Sequence, residues 1–415
     1  MSGARRKNRR AARGRKASPS APLRTRLWDK GAALDPEAER FTVGEDYLLD
    51  RKLVQYDCLA SIAHARALGK AGLLKTTEVR RLTRELNRII ALDRKGKFKI
   101  SRSEEDCHTA IENHLTRRLG EAGKKIHTAR SRNDQVLTAL RLYCKEELGD
   151  CRKLAQALVQ SLRGFVKKYG RVKFPGYTHT RKAMPSSVAM WAGAFVDSMK
   201  DNLKLVNAVL GLMDQSPLGT GAGCGVPLRI DRQRTAKLLG FKRVQQNPVY
   251  AQMSRGKFEA TLLHALGQIM FDLNKISSDL ILFSMPELGY FEIPREFCTG
   301  SSMMPQKKNP DVLELLRAKY HAVVSCEFYV KSVTGNLPSG YNRDVQLTKE
   351  PTMRGLEIAK ESLSVASRLV KKLRVNKENC RKALTEEIYA TEKAYRLVRK
   401  GVPFREAYRE VARRY

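Results

Sequence analysis

Residues 136–169 read VLTALRLYCKEELGDCRKLAQALVQSLRGFVKKY. The apolar positions are Val136, Leu140, Cys144, Leu148, Cys151, Leu154, Leu158, Leu162, Phe165 and Tyr169. They are spaced by fours and threes, which places them all on one face of an α-helix. The pattern predicts a helix of about 40 residues, roughly 60 Å long at 1.5 Å per residue. Further along, Phe258, Leu262, Leu266, Ile269, Leu273, Ile276, Leu280 and Phe283 repeat the same stripe. Another helix is expected to open at Pro185, a good first-turn residue, and to stop before Ser216-Pro217-Leu218-Gly219. A fourth is expected to take Asn309 as cap and Pro310 in its first turn. A fifth covers 351–373, with Leu356, Ala359, Leu363, Ala366 and Val370 on one face. Shorter helices are expected over 47–74, 77–92 and 377–415, with no internal repeat and no strand-turn-strand series.

Long helices with one apolar stripe pack as a bundle. The expected fold class is therefore all-α: a long central bundle with smaller N- and C-terminal helical domains. The expected division is 1–28 as a basic, disordered tail, 29–128 as an N-terminal helical domain, 129–372 as the bundle and 373–415 as a short C-terminal helical domain. Helices of this length exceed the needs of a small monomer, so their outer faces are expected to meet other subunits.

The chain has 415 residues, 42% of them hydrophobic, which fits a globular protein with a large core. No apolar run is long enough to cross a bilayer, and the basic N-terminus lacks the apolar centre of a secretory signal. The eight cysteines are scattered with no Cys-x-x-Cys, so reduced thiols in a cytoplasmic protein are expected. The net charge is +36. Part of it sits before Trp28, where Arg5, Arg6, Lys7, Arg9, Arg10, Arg13, Arg15, Lys16, Arg24 and Arg26 face no acidic residue. Such an arm could contact nucleic acid or another polyanion weakly. The plainer reading is a solvated arm, because no aromatic interleaving or nucleic-acid motif accompanies it.

Four polar clusters interrupt the helices. The densest is Gly300-Ser301-Ser302-Met303-Met304-Pro305-Gln306-Lys307-Lys308-Asn309-Pro310. It gathers hydroxyls, an amide and cations beside a glycine, as a site must to take a proton from carbon and hold the resulting anion. The second is 123–135, where Arg132 and Asn133 with helix N-terminal amides suit a carboxylate; an ordinary N-cap is the alternative. The third is Pro175-Gly176-Tyr177-Thr178-His179-Thr180, whose histidine is structural if it stands alone. The fourth is 340–349, an aromatic, an amide and a cation on a loop entering a helix. The glycines over 219–225 lack a surrounding βαβ pattern and read as a turn between helices rather than a phosphate cradle. His108 with Glu112 has helical spacing for a metal, a reading that nothing else in the chain supports.

Taken together, the clusters resemble the argininosuccinate lyase family of the fumarase/aspartase superfamily. The resemblance rests on the Gly300 loop, Arg130-Ser131-Arg132-Asn133-Asp134-Gln135, Gly176-Tyr177-Thr178-His179 and Tyr341-Asn342-Arg343-Asp344. Supporting pieces are Leu27-Trp28, Glu105-Asp106-Cys107-His108-Thr109, Ser216-Pro217-Leu218-Gly219 and the stretch from Lys400 to Ala407. It implies a homotetramer with active sites built from three subunits. It also implies a carbon–nitrogen lyase of arginine biosynthesis, converting argininosuccinate to arginine and fumarate by β-elimination without metal or organic cofactor.

The implied catalytic residues are His179, Ser301, Lys307 and Glu314. Ser301 takes the proton from carbon, Lys307 with Asn309 holds the anion, and His179 paired with Glu314 protonates the leaving nitrogen. The opposite assignment of Ser301 and His179 stays open. Ser131, Arg132, Asn133, Thr178, Asn309, Tyr341, Gln346 and Lys349 are implied substrate-binding residues.

The chain departs from the family pattern at Asp46, where a serine is usual, at Arg181, and over 253–258. These departures keep open a related fumarate-releasing lyase acting on another N-succinyl amine. A non-catalytic lyase-derived protein is a third reading, against which His179 and Ser301 are both present.

Overall fold

The computed structural model describes residues 35–415. The basic tail expected over 1–28 and the Leu27-Trp28 part of the resemblance lie outside the described residues. Short helices Pro36–Val43 and Asp46–Leu49 lead into an N-terminal layer of α1 (Val54–Lys70), α2 (Thr76–Arg94) and α3 (Cys107–Leu119). Leu68, Leu82, Leu86, Ile89 and Ile111 are buried among these helices. Then comes α4 (Arg132–Tyr169), the long helix read from its stripe. Its 38 residues span about 57 Å. The Ser131 hydroxyl accepts the Asn133 amide at 3.2 Å, and Asp134 accepts the Ser131 amide at 2.9 Å. This reciprocal cap satisfies helix-end donors that would otherwise lack partners.

The segment after α4 departs from expectation. Strands β1 (Lys173–Thr178) and β2 (Arg181–Ser187) form an antiparallel hairpin, and Pro185 lies within β2 opposite Pro175 rather than in a helix. Prolines are tolerated here because a two-stranded ribbon consists only of edges. The turn is the two-residue His179-Thr180, with φ of 52° and 58°. A turn with two left-handed residues matches strand twist but ordinarily uses Asn or Gly. His-Thr carries no such signal, so the hairpin was not legible.

Helix α5 (Val188–Met213) is capped by Ser187, whose Oγ accepts the Met190 amide at 3.1 Å. Helices α6 (Lys257–Phe283), α7 (Asp311–Thr334) and α8 (Lys349–Lys372) complete the bundle. α7 opens at Asp311 with Pro310 as its cap. Asn309 instead pairs with Thr299 in a short antiparallel strand, a second correction to the expected helix start. The chain ends in α9 (Ala390–Arg399) and α10 (Phe404–Ala412). The glycine-rich 219–225 segment is a turn, as expected. Gly219 and Gly221 have φ of 86° and 61°, and their amides donate to the buried Asp134 carboxylate at 2.8 and 2.9 Å. The loop thus cradles a carboxylate of its own chain.

One apolar core runs continuously from Leu53 through the bundle to Cys380. The connections give the bundle two ends. A Cβ on Gly256, just before α6, would meet Thr334 at the close of α7, so these two helices run antiparallel. Phe283, at the far end of α6, packs against Tyr177 of the hairpin. The 27 residues of α6 therefore put about 40 Å between the end holding Arg255 and the end holding the hairpin.

Candidate active site

At the first end, the start of α4, the 340–349 segment and the early helices enclose a polar pocket. Its lining includes Asp46, His108, Arg132, Asn133, Arg255, Tyr341, Gln346 and Lys349. Lys349 is only 3% exposed, and its Nζ donates to Asp50 at 2.6 Å and lies 3.1 Å from Asp46. Burial opposes the Asp50 charge, but Lys349, His108 and the Cys107 amide together more than offset this and hold its carboxyl below the usual range. At Asp46 burial wins over Lys349, and the carboxyl is pushed up. Asp50 also accepts the Cys107 amide at 3.1 Å.

Behind it, His108 Nδ1 lies 3.3 Å from Asp57, which accepts two bonds from Gln135 at 2.9 and 3.0 Å. Burial alone would discharge His108, but the carboxylates of Asp57, Asp106 and Asp50 together outweigh it and hold the imidazole above its usual range.

Arg132 is not the open carboxylate binder read from the sequence. Its guanidinium lies 3.1 Å from Glu105 and 3.3 Å from Asp106, and it donates to Thr109 Oγ1 at 2.8 Å. His108 and Glu112 diverge, since Glu112 meets His127 at 3.3 Å. Asp50, Cys107 and His108 offer ligand atoms within 4.8 Å of one another. The Lys349 ammonium already occupies that carboxylate, and burial holds the Cys107 thiol well above its usual range, so the donor set suits an ion pair better than a metal.

The other predicted residues sit at the opposite end. Thr178 and His179 are exposed at the hairpin tip, and the tip's two left-handed residues cost about 1–3 kcal/mol each. The hairpin is braced from behind: Tyr177 and Tyr290 share a hydroxyl bond of 2.7 Å, and Lys182 donates to the Ala383 carbonyl at 3.0 Å. The Gly300 loop is closed by the pairs Thr299↔Asn309 and Gly300↔Lys308. Inside it the Ser301 hydroxyl accepts the Met303 and Met304 amides at 3.2 and 3.0 Å. Asn309 Nδ2 donates to the Gly300 carbonyl at 3.3 Å. Lys307, Met303 and Glu314 are exposed.

One chain thus brings Arg132, Asn133, Tyr341, Gln346 and Lys349 together, with Ser131 capping the same helix start. It sets Ser301, Lys307, Asn309 and Glu314 on the Gly300 loop and the start of α7, and Thr178 with His179 on the hairpin tip. Among the described residues no hydrogen bond or ion pair joins His179 to Glu314 or to the Gly300 loop. The reading from sequence missed Asp50, Asp57 and Arg255. Asp50 and Asp57 are seven apart, a same-face spacing within the helix expected over 47–74; Arg255 falls in the 253–258 stretch read as a departure from the family pattern, but was given no role.

The comparisons agree with this architecture. The chain matches the family model described as "Lyase" over residues 33–325. It is 52% identical over 390 residues to an argininosuccinate lyase of Thermotoga neapolitana, covering 94% of this chain and 98% of that one. It is 45% identical to an argininosuccinate lyase of Sorangium cellulosum, covering 94% of this chain and 90% of that one. Among solved structures, fumarate lyase:delta crystallin from Brucella melitensis superposes with a TM-score of 0.76 at 21% identity, covering 91% of this chain and 90% of that one. EDDS lyase in complex with formate gives 0.76 at 23% identity, over 92% of this chain and 76% of that one. The last two carry the fold; the first two, at their identity and coverage, place the chain in the argininosuccinate lyase family of the fumarase/aspartase superfamily.

Proposed function

We propose that this chain eliminates fumarate from argininosuccinate, leaving arginine. The observation that carries the reading is the Gly300 loop, folded as an open polar hairpin in a chain 52% identical to a relative of that name. The proton to be removed lies next to a carboxylate and is only weakly acidic. A serine is a poor base unless its alkoxide is stabilised. Ser301 has two backbone amides on its oxygen, at 3.2 and 3.0 Å, and these favour the charged form. Lys307 and Asn309 stand on the same loop to hold the charge that develops on the carboxylate. His179, paired with Glu314, delivers the proton to the leaving nitrogen. Thr178, Ser131, Asn133, Tyr341, Gln346 and Lys349 bind and orient the substrate, while Arg132, held by Glu105 and Asp106, positions the helix start that carries Asn133.

The three sets of residues meet only if several chains assemble, so the working form is a homotetramer. Exposed apolar side chains on the long helices support this: Phe328 is 72% and Leu315 60% exposed on α7, and Met190 is 71% exposed on α5. The place of action is the cytoplasm; no helix among the described residues is long and apolar enough to cross a membrane. The test is fumarate release, followed by its ultraviolet absorbance, across a panel of succinylated amines. Argininosuccinate should be the preferred substrate. A strong preference for a succinylated amine lacking the guanidino group would overturn the assignment.

A further inference from the structure

The first-end pocket has a charge imbalance with a direction. Lys349 serves two carboxylates. Asp50, fully buried and 2.6 Å away, is its close partner. Asp46 lies farther off, at 3.1 Å, with its side chain 17% exposed toward the pocket. One negative charge is therefore in surplus beside Lys349.

Across the same pocket stands the converse. Arg255 is 6% exposed, yet among the described residues no carboxylate lies within ion-pair distance of it. Its guanidinium sits 5.5 Å from the Tyr341 ring centroid and donates a hydrogen bond to that tyrosine, its buried Nε has no hydrogen-bond partner, and Glu259 and Asp46 act on it only through space. Glu259, the nearest carboxylate along the chain, turns back to accept the Gly256 amide at 2.7 Å. The other pocket cations are engaged. Arg132 is held by Glu105 and Asp106, and Arg343 donates to Gln346 and to the Thr42 carbonyl at 3.1 and 2.9 Å. A buried guanidinium with no carboxylate in contact is costly, and a fold that keeps one facing a cavity favours an anionic ligand there.

The geometry points to a zwitterion clamp: Arg255 takes the α-carboxylate and Asp46 the α-ammonium of the amino-acid half of the substrate. This rests on the lyase reading and adds to it the residues that recognise an α-amino acid head.

The reverse reaction tests it. Fumarate consumption is followed with arginine, with agmatine, which lacks the α-carboxylate, and with δ-guanidinovalerate, which lacks the α-amine. The wild type should prefer arginine over each analogue by about 10–100-fold in kcat/KM, the usual worth of a hydrogen bond to a charged group. Arg255→Met should lose the preference over agmatine and keep that over δ-guanidinovalerate. Asp46→Asn should do the opposite, and Arg255→Lys should restore part of the agmatine discrimination. Arg255→Met removes an unpaired buried charge, so its thermal midpoint should not fall. If it nevertheless does not fold, Arg255→Lys carries the test through a raised KM for arginine with agmatine unchanged. Equal losses on all three amines, or an undiminished preference for arginine over agmatine in Arg255→Met, would overturn the clamp. A wild type that consumes fumarate with none of the three would overturn the lyase reading and the clamp with it.

Discussion

The two ends of the bundle treat polar groups in opposite ways. At the first end, Lys349, Asp50, His108 and Asp57 are buried and joined within one chain, and the helix starts at Cys107 and Arg132 are capped by Asp106 and Ser131. At the second, Thr178, His179, Lys307 and Glu314 are exposed, and the hairpin tip holds two residues in a backbone conformation that side chains disfavour. A single chain finishes the first site and leaves the second open. Exposure, not strain, separates the ends, since Glu105 and Ala129 at the first end also hold positive φ, of 67° and 58°; the open polar groups of the second end mark surfaces shaped for something that chain does not supply.

The largest expected effect separates chemistry from binding. Ser301→Ala should fold and bind substrate normally, because the loop is closed by backbone pairs. It should lose about 10²–10⁴ in kcat, the usual cost of removing a proton-transfer group. Near wild-type turnover would take the loop out of the reaction.

Lys349→Met tests the first end. Were Lys349 only a binding contact, the variant would mainly raise KM. The structure adds a second consequence, since Asp50 would stay buried without its cation. Breaking a buried pair typically costs about 3–5 kcal/mol, so urea unfolding should show a loss of that size. A stability loss below about 1 kcal/mol, the worth of a surface pair, would contradict the buried network.

A pH titration sharpens the same contrast. His64 Nε2 donates to the Thr128 carbonyl oxygen at 2.8 Å. Burial, then the neighbouring Arg130 charge, pushes its pKa down to about 3 from 6.5. The unfolded chain takes up that proton more readily, so this contribution to stability is full above 6.5 and is lost as pH falls toward 3. The slope is at most about 1.4 kcal/mol per pH unit. His64→Gln should flatten the acid fall in Tm; an unchanged profile would assign acid sensitivity to other groups.

The smallest effect belongs to the second end. Thr180 holds φ of 58° in the hairpin turn. Thr180→Gly should relieve the strain and raise stability by about 1 kcal/mol, read as a higher Tm. No gain would mean that the turn is not strained in the working assembly.

The long helices were legible because a stripe of threes and fours is local information. The Gly300 loop and the hairpin's His179 were legible as residues but not as shapes. Pro185 and the His-Thr turn concealed a hairpin, and Asn309 capped nothing because its backbone pairs with Thr299. The first-end network was the least legible part. Lys349 and Asp50 are 299 residues apart, and no local pattern announces such a pair. The same holds for Arg255, whose lack of a contacting carboxylate is a fact of three-dimensional packing.

The most direct test of the central claim is complementation between chains. His179→Asn and Lys307→Met variants should each be nearly inactive alone, since each removes one open surface from every site. Refolded together, they should form mixed tetramers in which some sites draw both surfaces from intact copies, and a fraction of wild-type fumarate release should return. Mixed tetramers that form, as native mass spectrometry would show, but stay as inactive as either parent would contradict a site assembled from several chains.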